Sequence, residues 1–467
     1  MGQSRGQFLT LSAALGAGFV ILAAVQLWLA PAQGWWNDEV FSLWASDPAA
    51  GVFTNVASDS NPPFYFIVLQ IVRTPVGDPR TAVMVASTLM LLATSAFVLS
   101  ISRTPEWRTW AAIAIAAFAV NGVVAFMFQE ARAFLLGGCI VFAAAWQSAI
   151  MLANAEAPRR LTTLSVLGAL AALTHFYAAL ALGSLAAGLV VWALVARRRD
   201  LLIPGLVLGA SAVLVFGAWY AYASARVANI AWIEFSFANV RDALWYVRSL
   251  ALGPAWLAAP LALIVGYAVW RAPTIRPSLV VFAIAGALFV LLPILISFKT
   301  PIIMGRYWSV GAPLLVVTLV LIARDFWSAP HGRAVALAIG AFVLATAAFG
   351  AAGARHLMQV EPVWSGAPLV AERGASCAPG SIRVPNQPNL YASASGLPEA
   401  TFAPLAQAVG SSDCPVLGWA EHVLRGDGYS LSAPEADLLD MVGVTAPAEG
   451  VTIARHASGF VILRAGS

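Results

Sequence analysis

Charge is what this sequence has least of: Asp, Glu, Lys and Arg together make up 10% of 467 residues. A water-soluble domain carries about 25%, so this chain cannot cover a water-facing surface, and a soluble globular protein is excluded. Lysine is almost missing, Lys299 being the only one among 26 basic side chains. Cysteine is confined to Cys139, Cys377 and Cys414, which gives no zinc-ligand spacing. There is no Gly-rich phosphate loop, no internal repeat and no low-complexity linker. The pI near 9.1 does not point to nucleic acid, because the arginines sit at the ends of apolar runs and form no basic face.

Apolar residues fill the space that charge leaves. They are 60% of the chain, with mean hydropathy +0.81. Crossing a bilayer takes about 20 apolar residues, and eleven runs qualify: 8–30, 81–101, 109–128, 133–153, 161–175, 177–195, 201–221, 251–270, 278–297, 307–323 and 334–353. The fifth is short and is interrupted at Leu173-Thr174-His175-Phe176-Tyr177. The first follows Arg5 and precedes Ala30-Pro31-Ala32, which resembles a cleavage site, but it outlasts the 7–15 apolar residues of a typical signal core. It reads as a retained helix. With the N-terminus inside, the cytoplasmic ends collect Arg5, Arg103, Arg108, Arg159, Arg160, Arg197, Arg198, Arg199, Arg271, Arg276, Arg324 and Arg333. Only Glu106, Glu156, Asp200 and Asp325 oppose them, as the positive-inside rule requires.

Four outward segments are longer or more polar than connectors need to be. The first, 31–80, holds two amphipathic stretches, Glu39 to Trp44 and Phe64 to Val72, which read as interfacial helices on the membrane surface. The others are Gln129-Glu130-Ala131-Arg132, the Trp- and Arg-rich 222–250, and 298–306. From residue 354 the composition changes to short apolar runs punctuated by Pro, Gly and Ser. Strands are expected at Ser381–Val384 and Pro415–Gly418, a capped helix at Pro434–Val442, and a terminal hairpin from Val451–Arg455 and Gly459–Arg464. The expected organisation is a transmembrane domain over 1–353 and a small outward-facing soluble α/β domain over 354–467. Cys377 and Cys414 both fall in that tail, either as a disulfide or as two thiols.

Each candidate functional group has two readings. Asp38-Glu39, after Trp35-Trp36-Asn37, is an interfacial turn or a carboxylate poised as general base toward a hydroxyl. Asp59 recurs in the same loop before Ser60-Asn61-Pro62-Pro63, where the double proline fixes the entry to the next helix. Glu130 and Arg132 either neutralise one another or orient an acceptor. Lys299 and Arg306 either anchor lipid head groups or bind a phosphate. His175 is a metal ligand or a satisfied interfacial imidazole.

Taken in order, Asp38-Glu39, Asp59-Ser60-Asn61-Pro62-Pro63-Phe64-Tyr65, Gln129-Glu130-Ala131-Arg132-Ala133-Phe134, His175-Phe176-Tyr177 and Gly305-Arg306-Tyr307 resemble the bacterial GT-C glycosyltransferases of the protein-mannosyltransferase and aminoarabinose-transferase type. The resemblance spans the whole chain. It implies an all-α polytopic membrane fold with outward interfacial helices, in the bacterial cytoplasmic membrane with its active site facing the periplasm. The donor would be a sugar on polyprenyl phosphate, and the acceptor a glycolipid, polysaccharide or protein. It further implies Asp38 as the base with Glu39 in support, and Arg306, Lys299 and Tyr307 on the donor phosphate. Asp59, Glu130, Arg132, His175 and Tyr177 would position donor or acceptor, and the transfer would invert the sugar carbon. No organic cofactor is implied, and a divalent metal would have Asp59 and His175 as ligands. Relatives place a His or an acid beside the double proline, where this chain has Ser60 and Asn61, and their Arg-Pro-Tyr stands here as Arg132-Ala133-Phe134. The alternative is a transporter or flippase for a lipid-linked glycan. That class shows mid-span ionisable residues and often inverted repeats, and this sequence shows neither.

Overall fold

A computed structural model describes residues 2–29, 35–49, 51–56, 61–153, 161–224, 235–271, 277–327, 332–360, 364–385, 387–404, 414–421, 450–455 and 459–464. In chain order the helices are α1 (Gly2–Leu29), α2 (Asn37–Ala45), α3 (Val52–Asn55), α4 (Phe64–Val76), α5 (Pro79–Ile101) and α6 (Pro105–Val120). Then come α7 (Gly122–Gln129), α8 (Phe134–Ala153), α9 (Leu161–Thr174), α10 (Phe176–Val195), α11 (Arg199–Ser224) and α12 (Phe237–Ala251). The series closes with α13 (Ala255–Arg271), α14 (Pro277–Ser297), α15 (Ala312–Trp327), α16 (Gly332–Val360), α17 (Ala367–Gly374) and α18 (Pro388–Ser395). A 3-10 helix, Gly305–Gly311, precedes α15. The strands are β1 (Ile382–Val384), β2 (Phe402–Pro404), β3 (Val416–Ala420), β4 (Val451–Arg455) and β5 (Phe460–Arg464).

The chain divides into two compact units, one of Met1–Pro31 with Pro48–Leu357, the other of Ala32–Asp47 with Met358–Ser467. A boundary drawn on composition at 353/354 leaves residues 32–47 with the spans, whereas they pack with the tail.

All eleven apolar runs of the sequence are helical. Among the described residues seven helices are long and apolar enough to cross a membrane alone, and two bent pairs raise the number to nine. The remaining two runs, Ala13–Leu29 and α9, are shorter apolar helices. α8 is the centre of the first unit and its spanning window is wholly buried, so its apolar residues meet protein on every side. Helices in lipid associate through close van der Waals packing at small residues. Gly122 shows why: a Cβ there would lie 2.3 Å from Gly350 Cα and 2.6 Å from the Leu250 carbonyl oxygen. α7, α12 and α16 therefore meet backbone to backbone.

The bend of 62° between α6 and α7 falls at Asn121. Its side chain accepts from Val123 N at 3.0 Å, capping α7, while its amide donates to the Ala251 carbonyl at 3.4 Å. Broken helices leave backbone groups that must be re-satisfied inside protein, and this asparagine does both jobs. Nearby, Gln129 Nε2 donates to Gln26 Oε1 at 2.8 Å and Gln26 Nε2 donates to the Ala125 carbonyl at 3.1 Å. That buried amide pair ties α1 to α7.

The second unit is built on a five-stranded sheet of order β2-β1-β3-β5-β4. β1 runs parallel to β2 and β3, while β5 pairs antiparallel with β3 and β4. The terminal hairpin and the strands at 382–384 and 416–420 match the expected positions; β2 was not foreseen. The helix expected at Pro434–Val442 lies outside the described residues. Cys377 and Cys414 are joined in a disulfide. The stretch Glu39–Trp44, expected as an interfacial helix, forms α2, but its apolar face is covered by protein. Val40 sits in a core with Trp364, Val370, Ile382, Tyr391 and Trp419, and Phe41 and Trp44 pack against that core. An amphipathic pattern specifies that one face is buried; it does not say whether lipid or protein buries it.

Candidate active site

The first unit gathers several of the anticipated residues at helix ends. α9 stops at Thr174 and α10 begins at Phe176, with His175 between them as the N-cap. His175 Nδ1 accepts the Tyr177 backbone N–H at 3.2 Å, so that nitrogen carries no proton, and the neutral ring holds its hydrogen on Nε2. The imidazole is 1% exposed, with no partner for Nε2 among the described residues.

Around it stands an aromatic box. Phe134 and Tyr307 meet the imidazole nearly edge-on at 5.2 and 5.1 Å between centroids, and Phe176 stacks on it at 4.9 Å. Tyr307 also approaches Phe134 at 5.7 Å and Tyr177 at 5.4 Å. These offset and edge-to-face contacts are the favourable arrangements for aromatic rings. Tyr177 Oη donates to the Ile302 carbonyl at 3.0 Å, and Ile302 N donates to Ser297 Oγ at 3.1 Å. The loop that leads into Arg306 is thereby tied to α10 and α14. Arg132 lies 5.7 Å from the Phe134 ring centroid. Glu130 and Arg132 are both buried, at 3% and 5% exposure, in the α7–α8 connection.

Arg306 and Tyr307 ride on the 3-10 helix. Gly305, its first residue, fits against α12 only because it has no side chain: a Cβ would be 2.9 Å from Tyr246 Cβ and 3.0 Å from its Cγ. Ser309 Oγ donates to the Arg306 carbonyl and closes the turn. Tyr307 is buried while Arg306 is partly exposed. Lys299, seven residues earlier, is exposed at the end of α14.

Asp38 and Glu39 belong to the second unit, in the first turn of α2, where the helix dipole favours negative charge. Their roles differ. Glu39 is fully buried and its Oε2 accepts the Trp36 backbone N–H at 3.2 Å, one half of a capping box. Asp38 is partly exposed, and its carbonyl accepts Ser42 Oγ at 2.9 Å.

Structure thus joins Arg132, His175, Tyr177 and Tyr307 in one cluster with Arg306 beside it. Asp59 lies outside the described residues. Among those described, no group of three His, Cys, Asp or Glu side chains is placed to hold a metal. His175 Nδ1 is committed to the helix cap, which disfavours the tautomer that a metal on Nε2 requires. Sequence reasoning named Phe134 only as a motif residue and missed Phe289, because an aromatic within an apolar run looks the same whether it faces lipid or a site; Tyr246, in the outward segment 222–250, was not singled out either. Tyr177 meets Phe289 at 6.0 Å, and Phe126 meets Tyr246 at 5.9 Å.

No protein-family model matches the sequence, and no curated protein does either. Among solved structures, the crystal structure of ArnT from Cupriavidus metallidurans bound to undecaprenyl phosphate matches with a TM-score of 0.56 at 16% identity, covering 98% of each chain. Identity that low speaks to fold, and the match runs through the spans and the C-terminal sheet together. The chain is a multi-pass membrane protein with the GT-C fold of the aminoarabinose transferases.

Proposed function

We propose that this protein is a glycosyltransferase that moves a sugar from a polyprenyl phosphate to an acceptor hydroxyl at the outer face of the bacterial cytoplasmic membrane. The observation that carries this reading is the end-to-end likeness to a transferase solved with undecaprenyl phosphate bound. Asp38 takes the acceptor proton; the acceptor oxygen bonds to the anomeric carbon as the bond from that carbon to the phosphate oxygen breaks, inverting the centre. Polyprenyl phosphate leaves carrying the extra negative charge. Arg306, with Lys299, binds that phosphate and stabilises the charge as it develops, and Tyr307 borders it. The Nδ1 cap leaves His175 beside Tyr307 as an uncharged Nε2–H donor, able to donate to an oxygen. Glu130, Arg132 and Tyr177 set the geometry of this end of the bundle.

The test uses purified full-length protein, a panel of undecaprenyl-phosphate sugars, and glycolipid, polysaccharide and protein acceptors. Asp38→Asn should lower the transfer rate about 100- to 10,000-fold, leaving measurable residual transfer and intact donor binding, and a fully active variant rejects Asp38 as base. Arg306→Ala should weaken donor binding, and unchanged donor affinity rejects its role. Consumption of no donor in the panel would sink the enzyme reading.

A further inference from the structure

The second unit holds a carboxylate with no part in the reaction above. Glu421, just after β3, is 1% exposed. Its Oε1 accepts two hydrogen bonds at 2.9 Å, from the Gly366 backbone N–H and from the Trp419 indole Nε1. Its own N–H donates to Tyr391 Oη at 3.2 Å. A Cβ on Gly459 would lie 2.8 Å from Glu421 Oε2, so the start of β5 runs directly past it. Burying a carboxylate is costly unless hydrogen bonds compensate it, and these bonds fix one short segment, Trp364 to Gly366.

That segment leads to the first loop. Trp364 N donates to the Trp35 carbonyl at 2.7 Å, and the Trp364 ring rests on Tyr391 at 4.9 Å and Trp419 at 5.5 Å. Trp35 immediately precedes Trp36, the N-cap of α2, and Asp38 lies in the first turn of that helix. Two residues beyond Asp38, Val40 is fully buried in the same core. The backbone on both sides of Asp38 is therefore fastened to the sheet, through Glu421 and Trp364 on one side and through Val40 on the other.

We infer that Glu421 is a positioning residue for Asp38, and that aiming this carboxylate is a task of the C-terminal domain. The inference rests on Asp38 acting as the base. Misplacing a reacting group by about 1 Å can cost on the order of 100-fold in rate, so the clamp acts on kcat. Gln at 421 keeps the shape and an acceptor oxygen for Gly366 and Trp419; Ala keeps neither.

The experiment compares full-length wild type, Asp38→Asn, Glu421→Ala, Glu421→Gln and the Asp38→Asn/Glu421→Ala double variant. The donor is the undecaprenyl-phosphate sugar that wild type consumes in the panel above. We expect Glu421→Ala to lower kcat about tenfold to 100-fold with donor KM little changed, and Glu421→Gln to restore most of it. In the Asp38→Asn background Glu421→Ala should remove nothing further, because residues acting as one unit are non-additive. An additive loss, or an equal loss in Glu421→Gln, means general destabilisation and overturns the inference. Wild-type kcat in Glu421→Ala with an impaired Asp38→Asn overturns it while leaving the base assignment standing. Full activity in Asp38→Asn removes the base assignment itself. Should Glu421→Ala not accumulate, Glu421→Asp replaces it: the carboxylate retracts by one methylene, and the same kcat-only, Asp38-dependent loss is expected.

Discussion

Gly305→Ala offers a sharp trial of how the 3-10 helix carries Arg306. The added methyl would stand 2.9 Å from Tyr246 Cβ, 3.0 Å from Tyr246 Cγ and 3.3 Å from Ala243 Cα. Carbon atoms rest at about 3.5–4.0 Å, so the helix must retreat from α12 by roughly 0.5–1 Å. Neither neighbour can yield cheaply, since Ala243 Cα is backbone and Tyr246 is clashed at the root of its side chain. Overpacking of this kind costs about 1–3 kcal/mol. The functional effect should be larger, because Arg306 is the next residue and moves with the helix, and a shift near 1 Å can cost on the order of 100-fold in rate. Two assays separate the effects: thermal unfolding in detergent, and titration with undecaprenyl phosphate followed by tryptophan fluorescence. Truncating the partner, in Gly305→Ala/Tyr246→Ala, removes the Cγ contact and should recover part of the binding. Wild-type melting together with wild-type affinity in Gly305→Ala would refute the close fit and the coupling of Arg306 to it.

Glu39→Ala should lose about 1 kcal/mol of stability, the worth of a cap interaction, seen as faster hydrogen exchange at the start of α2. His175→Ala should remove the side-chain cap on the Tyr177 N–H and cost about 1 kcal/mol, while His175→Asn, which keeps a capping side chain, should retain most of that stability; wild-type melting of His175→Ala would contradict the cap. Removing the Cys377–Cys414 disulfide, whose ends are 37 residues apart, should destabilise the C-terminal unit by about 4 kcal/mol in the chain-entropy view. Proteolysis within 358–467 under reducing conditions reads this out.

The spans were legible because a bilayer imposes a length and an apolarity that few sequences meet by chance. The break at His175 was legible for the same reason, as a polar residue interrupting an apolar run. The sequence motifs name Phe134, Phe176 and Tyr307, but they do not say that these rings close around His175, which only packing brings about. β2 escaped notice because Pro404 ends it, and a proline in so short a run argues against a strand. The placement of α2 was hidden for a different reason. Its apolar stripe is satisfied by Trp364, Tyr391 and Trp419, all more than 300 residues further along the chain, and no local pattern records a partner that distant.

That distance has a consequence for how the protein is made. Trp35 leaves the ribosome early, but the residue that holds its carbonyl, Trp364, follows only after the segments that form the spanning bundle. At about 5–20 residues per second, the acidic loop waits roughly 15–65 s for its core. Throughout that interval the emerging chain carries α2 without the core that covers its apolar face, and that stripe stays uncovered until Trp364, Tyr391 and Trp419 have followed.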